Sequence, residues 1–231
     1  MATNTELGTT TWTELRQRPP VLVAVPLGSS EQHGPHLPLD TDTRVATALA
    51  QALAAARPDV LVSPPVAIGA SGEHGGFPGT LSIGTAVLTQ VLVELCRSAD
   101  WAAGVVVVNG HGGNLSALSE AQAAATREGR SMLAWSPTAP EHADAHAGWL
   151  ETSLVLALAP HLVRAERPRG RTEPLGELWP ELRRGGVAAI SPSGVLGDAT
   201  SADAEDGRRV LDAWTADLIA CVERRWPRPA P

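Results

Sequence analysis

Apolar positions fall along this chain in two rhythms. Short unbroken apolar runs occur at Val21-Leu-Val-Ala-Val-Pro-Leu27, Val60-Leu-Val62, Gly104-Val-Val-Val-Val-Asn109 and Met132-Leu-Ala-Trp135. Runs of this length, rich in β-branched residues and bounded by turn formers, read as buried strands. Between them apolar residues recur every three or four positions, which marks one face of a helix. Val45, Leu49 and Leu53 predict a helix over 43–56, with Thr41 or Asp42 placed to cap it and Pro58 beyond its end. Leu88, Leu92 and Leu95 predict one over 86–97, and an Ala-rich stretch predicts one over 115–128, closed by Gly129. Leu150, Leu154, Val155 and Leu158 predict one over 149–159, and Val210, Leu211, Trp214, Leu218 and Cys221 a last helix. Residues 81–83 read as a short edge strand and 187–190 as a final strand, with the Pro- and Arg-rich stretch 160–186 irregular. Strands alternating with helices predict an α/β sandwich on a mostly parallel sheet. No linker divides the 231 residues, so the chain reads as one domain with flexible tails at 1–10 and 226–231.

Composition narrows the possible partners. The net charge of −7 argues against a nucleic-acid footprint. Cys96 and Cys221 lie in helical patterns and build no disulfide framework. No basic stretch precedes an apolar core at the start, and no apolar run is long enough to span a bilayer. The expectation is a soluble cytoplasmic protein without nucleic-acid or membrane partners.

The chemistry concentrates in Glu31-Gln-His33-Gly-Pro-His36-Leu-Pro-Leu-Asp40-Thr-Asp42, directly after the first strand. Polar side chains at the carboxyl end of a parallel strand sit where open α/β sheets bind ligands. Glu31 and His33 are two apart and share a side in extended chain, and a turn through Gly34, Pro35 and Pro38 could return Asp42 to them. Further polar clusters follow other strand-like segments, Asn109 with His111, and Asp144 with His146 and Glu151. Glu73 and His74 sit in a Gly-rich loop. Carboxylate with imidazole suits Zn, Fe or Mn. Ions held there would lower the pKa of water and polarise an amide carbonyl, with no Ser or Cys nucleophile required. Plainer readings exist for each residue alone. His111, between glycines, fits a metal ligand, a turn histidine or a phosphate-cradling loop. Glu151 fits a helix-dipole partner. Asp144 alternates with His146 and is a candidate to hold its second ring nitrogen, while His142 and His161 read as surface residues.

Pro26-Leu-Gly-Ser-Ser-Glu31-Gln-His33-Gly-Pro-His36-Leu-Pro-Leu-Asp40-Thr-Asp42 resembles the signature of the creatininase (creatinine amidohydrolase) family. Asn109-Gly-His111-Gly-Gly-Asn114 and His146-Ala-Gly-Trp-Leu-Glu151-Thr resemble its second and third blocks, and Gly72-Glu-His-Gly-Gly-Phe-Pro-Gly-Thr80 also fits. Within the family, Leu39-Asp-Thr-Asp-Thr-Arg44, Arg184-Gly-Gly-Val-Ala-Ala189 and Ser193-Gly-Val-Leu-Gly-Asp198 are most similar to its mycofactocin-system branch. The resemblance implies a three-layer α/β/α sandwich, two divalent metal ions (Zn, Fe or Mn), and a homo-oligomer such as a hexamer. It implies Glu31, His33, Asp42 and His111 as metal ligands with Asp42 bridging, and His146 as the proton-transfer residue. Its substrate would be a radical-modified precursor peptide whose C-terminal Val-Tyr-derived core is freed for a redox cofactor. The alternative on the same scaffold is an amidase or deformylase acting on a formamide or cyclic amide. One departure stands out. The family's glutamate two residues after the His111 position is Gly113 here, which argues against creatinine as substrate. Glu151 becomes the replacement ligand for the second ion and a catalytic candidate beside His146.

Overall fold

The computed structural model describes residues 5–228. Helix α1 (Trp12–Gln17) precedes strand β1 (Leu22–Leu27), helix α2 (Thr41–Ala56), strand β2 (Val60–Val62) and helix α3 (Gly84–Ser98). Strand β3 (Gly104–Asn109), helix α4 (Leu115–Arg127), strand β4 (Met132–Trp135) and helix α5 (Trp149–Leu158) follow, then helices α6 (Leu175–Ile190) and α7 (Ala204–Arg225). The four strands pair in parallel in the order β2-β1-β3-β4.

Alternation along the strands divides the core into two layers. Leu22, Ala24, Val106 and Val108 face α2, α5 and α7, meeting Leu49, Leu53, Leu154, Trp214 and Leu218. Val23, Val25, Val105 and Val107 face α3 and α4, meeting Leu88, Leu92, Leu118 and Ala121. The result is an α/β/α sandwich in which both sheet faces are covered, as the continuous valine run of β3 requires. Pro26 is tolerated inside the central strand β1 because its missing N–H points to the side where β2 has already given way to Ser63-Pro-Pro65.

Three expectations are corrected. Val187–Ile190 is not a strand but the end of α6, which breaks at Gly186 (φ +68°). Val187 and Ile190 are buried while Ala188 and Ala189 are exposed, a helical spacing too short to distinguish from a strand by sequence. The stretch 175–185, expected to be irregular, is the first part of the same helix. Residues 81–83 form no strand; Leu81 makes one antiparallel bridge to Ser30, and Gly84 (φ +75°) turns the chain straight into α3. The inner parts of both expected tails are tied down. The Val62 N–H donates to the Thr5 carbonyl at 2.8 Å, and the Arg57 guanidinium donates to the Trp226 carbonyl at 3.2 Å. Residues 1–4 and 229–231 lie outside the described residues. No helix among the described residues is long and apolar enough to cross a membrane.

Candidate metal centre

The carboxyl ends of β1 and β3 lie side by side, and α2 starts against both. Two glycines permit that approach. A Cβ on Gly28 would lie 2.2 Å from the Thr43 hydroxyl oxygen, and one on Gly110 would lie 2.3 Å from the Asp42 carbonyl oxygen. Asp42 is therefore held in the first turn of α2 with its carboxylate between the two strand ends, where the helix N-terminus favours negative charge. The asparagines of the second motif brace the turn. Asn109 Nδ2 donates to the His111 carbonyl at 2.8 Å, and Asn114 Nδ2 donates to the Gly28 carbonyl at 3.0 Å.

Around Asp42 the fold gathers every residue that the sequence marks for metal or catalysis. Asp42 Oδ1 is 3.1 Å from His33 Nε2, and Asp42 Oδ2 is 3.1 Å from His111 Nδ1. Glu31 Oε2 lies 3.1 Å from His111 Nε2. Glu151 Oε2 lies 3.6 Å from His33 Nε2 and 3.6 Å from His146 Nδ1. Two groups of possible ligand atoms, Glu31/Asp42/His111 and His33/Asp42/Glu151, share Asp42, and a third is Glu31/His33/His146; within each group the atoms fall within 4.8 Å. Glu151 is aimed by an unusual backbone. Ala147 has φ +53°, a strained conformation for a non-glycine residue, and its N–H donates to Glu151 Oε2 at 2.5 Å.

Asp144 and His36, polar residues of the same motifs, stay outside the cluster. Asp144 does not hold His146. Its carboxylate accepts from the N–H groups of Trp149 and Leu150 at the start of α5, and from Asp198. The second nitrogen of His146 goes instead to the backbone carbonyl of Gln32, at 2.8 Å. His36 is buried away from the cluster, with Nε2 2.8 Å from the Thr152 hydroxyl. The Gly-rich loop contributes more than its composition indicated. His74 Nε2 is 3.3 Å from Glu31 Oε1, and Glu73 Oε1 is 3.5 Å from His111 Nε2. A Cβ on Gly113 would lie 2.6 Å from Glu73 Oε1, so the glycine at this position makes room for that carboxylate.

The electrostatics call for cations. Burial and the neighbouring Asp42 raise the pKa of Glu31 to about 7, and burial raises that of Glu151 to about 7. Burial alone would depress His33, but Asp42 and Glu151 beside it lift it to about 10. His111 is likewise raised against its burial by Asp42 and Glu73. Burial holds His74 down to about 4 and keeps His146 well below the usual range. Both oxygens of Glu31 are buried without a hydrogen-bond partner. A buried carboxylate left in that condition is costly unless a cation meets it. The donor set, its burial and the orphaned Glu31 oxygens all fit divalent metal ions.

This has a measurable sign. His33 and His111 have raised pKa values and so hold protons at pH 7, and a protonated imidazole cannot ligate. Metal uptake at pH 7 should release about three protons per chain, two from the histidines and about half of one each from Glu31 and Glu151, and affinity should rise with pH. Titration calorimetry in buffers of different ionisation enthalpy checks this; uptake without proton release removes both histidines from the ligand set.

The family profile for creatininase, described as creatinine amidohydrolase, matches residues 8–222. The chain belongs to the creatininase family. Among curated relatives, the mycofactocin precursor peptide peptidase of Mycolicibacterium smegmatis is 51% identical over 230 residues, covering 95% of this chain and 91% of its own. The protein of that name from Mycobacterium tuberculosis is 50% identical over 235 residues, covering 97% of this chain and 93% of its own. The solved structure of creatininase Mn superposes with a TM-score of 0.77 at 25% identity, covering 97% of this chain and all of that one. The creatininase fold expected from the motifs is therefore the fold observed.

Proposed function

We propose that this creatininase-family chain is a metal-dependent peptidase that cleaves the modified mycofactocin precursor peptide and releases its C-terminal Val-Tyr-derived core. The observation that carries the reading is identity at half of all positions, along nearly the whole chain, to relatives named for that peptidase activity. In this reading Glu31, Asp42 and His111 hold one divalent ion, and His33, Asp42 and Glu151 hold a second, each Zn, Fe or Mn. When bound, such ions supply Lewis acidity that activates water and polarises the scissile carbonyl. The chain's own residues do the rest. His146 carries its proton on Nε2, because that nitrogen faces a carbonyl oxygen, which only accepts. Its Nδ1 is then a lone pair directed into the cluster, placed to take a proton from water and return it to the leaving amine. Residence in the cytoplasm and assembly into a homo-oligomer belong to the same reading.

Cavity shape supports a peptide over a small cyclic amide. The space in front of Glu73, His111, His146 and Glu151 has a volume of about 500 Å³, within the range of pockets that take drug-sized ligands. Its far wall is apolar and comes from α6, with Leu175 and Trp179 exposed at 42% and 49%. A side chain of the substrate's apolar core fits against that wall.

The test is mass spectrometry of the radical-modified precursor peptide after incubation with Zn-, Fe- or Mn-loaded protein, with formamides and cyclic amides in parallel. Release of the C-terminal fragment is expected. Hydrolysis of a formamide or cyclic amide with the peptide left intact would transfer the assignment to a small-molecule amidase. Trp179→Ala should raise KM for the peptide about tenfold with kcat little changed, since one lost apolar contact acts on binding.

A further inference from the structure

Gln32 lies between Glu31 and His33 and is buried, yet its side chain is no metal ligand and does not reach the cavity. Its orientation is fixed by partners whose roles are unambiguous. The Gly34 N–H can only donate, and it meets Gln32 Oε1 at 2.9 Å. The other amide atom is therefore nitrogen, with two hydrogens to place. One goes to the Gly194 carbonyl, 3.1 Å away, which can only accept. Gly194 has φ +79°, and a Cβ there would lie 1.8 Å from Gln32 Oε1, so only glycine lets the amide sit in this slot.

The remaining hydrogen has two candidate acceptors, His74 Nδ1 at 2.9 Å and His146 Nε2 at 3.0 Å. His146 Nε2 is excluded, since it already carries the proton it donates to the Gln32 carbonyl. The hydrogen goes to His74 Nδ1. That nitrogen must then be unprotonated, which puts the proton of the neutral ring on Nε2, 3.3 Å from Glu31 Oε1. His146 Nδ1 approaches the same oxygen at 3.9 Å, with a lone pair and no proton.

We propose that Gln32 is a positioning residue that sets proton placement on both histidines flanking Glu31. Its backbone carbonyl fixes His146 as the Nε2–H form, and its side-chain amide fixes His74 as the Nε2–H form. Glu31 Oε1 thus faces the N–H edge of His74 at 3.3 Å, without a hydrogen bond, and the lone pair of His146 at 3.9 Å. The first turns a partly positive edge toward the carboxylate. The second finds no hydrogen-bond donor among the described residues and is left free for a proton from the reaction. The catalytic consequence rests on the peptidase reading above, whereas the tautomers do not.

The experiment is nitrogen-15 NMR of the histidine rings in the zinc-loaded protein, with His74 assigned by the signal lost in His74→Asn. The wild type should show His74 with Nδ1 bare and Nε2 protonated. Gln32→Met keeps the length of the side chain and removes the amide, and His74 should then shift toward the Nδ1–H form. Turnover should fall about 10- to 100-fold, the range seen for groups that orient a metal site, with metal content unchanged. A wild-type His74 protonated on Nδ1, or a tautomer unmoved in Gln32→Met, overturns the proposal whatever the substrate proves to be. The wild-type spectrum decides the point alone if Gln32→Met does not fold.

Discussion

Asp42→Asn should lower turnover by about three orders of magnitude or more and reduce bound metal, while leaving the fold intact. Removing an outer-shell partner of a metal site costs about 10- to 100-fold, and a ligand shared by two ions costs more. Asp42 is the residue that joins the Glu31/Asp42/His111 and His33/Asp42/Glu151 groups, and its two oxygens face different histidines at 3.1 Å each. Asparagine keeps the shape but offers one oxygen and an NH₂, so one of the two histidines loses its acceptor. The charge also matters. His33 and His111 hold raised pKa values chiefly against Asp42, and with the neutral amide both should fall toward what burial dictates. The variant is thus expected to fold with neutral histidines and to bind metal weakly. Elemental analysis, circular dichroism and a peptide assay on one preparation separate the possibilities. Retained activity with full metal content would sink the bridging role.

How much of this was legible in the sequence varies by element. The strands and helices from Leu22 to Leu158 follow from apolar runs and three-to-four spacing, because the longer ones show their period and are buried on the expected faces and the short runs of β2 and β4 fall between them. The motifs at Glu31–Asp42 and Asn109–Asn114 end at the carboxyl edge of adjacent parallel strands, so their convergence follows from topology. Helix α6 was hidden because Pro180, Gly185 and Gly186 interrupt its pattern, and Val187–Ile190 alone fits either period. Asp144 departs from its candidate role for a different reason. Its alternation with His146 is real, but the chain turns at Ala147, and the carboxylate meets the free N–H groups of α5 before it can reach the ring. Glu73, His74 and Gln32 show no role in the sequence because most of their partners are far away along it. The loss of a carboxylate at Gly113 is visible in the chain; that Glu73, forty positions earlier, enters the space beside it is not.

His146→Ala carries the second large effect, and its signature is opposite to that of Asp42→Asn. Positioned proton transfer is worth about 10²- to 10⁴-fold, so kcat should fall by that amount. Metal content should not change, because Glu31, Asp42, His111, His33 and Glu151 supply both ligand groups that share Asp42 without His146. The third group does contain His146, so a loss of metal in this variant would move the residue from proton carrier to ligand. The geometry favours the carrier. His146 Nδ1 stands 3.6 Å from Glu151 and 3.9 Å from Glu31, looser than the 3.1 Å contacts that His33 and His111 make to Asp42. Burial and the neighbouring His33 and His74 also keep it neutral, which is the state a proton acceptor needs before the reaction. A small imidazole added to the His146→Ala protein fits the space vacated beside Gln32 and Glu151, and partial recovery of turnover is expected. Unchanged kcat would remove His146 from the mechanism and leave Glu151, on the other side of the same gap, as the group that moves the proton.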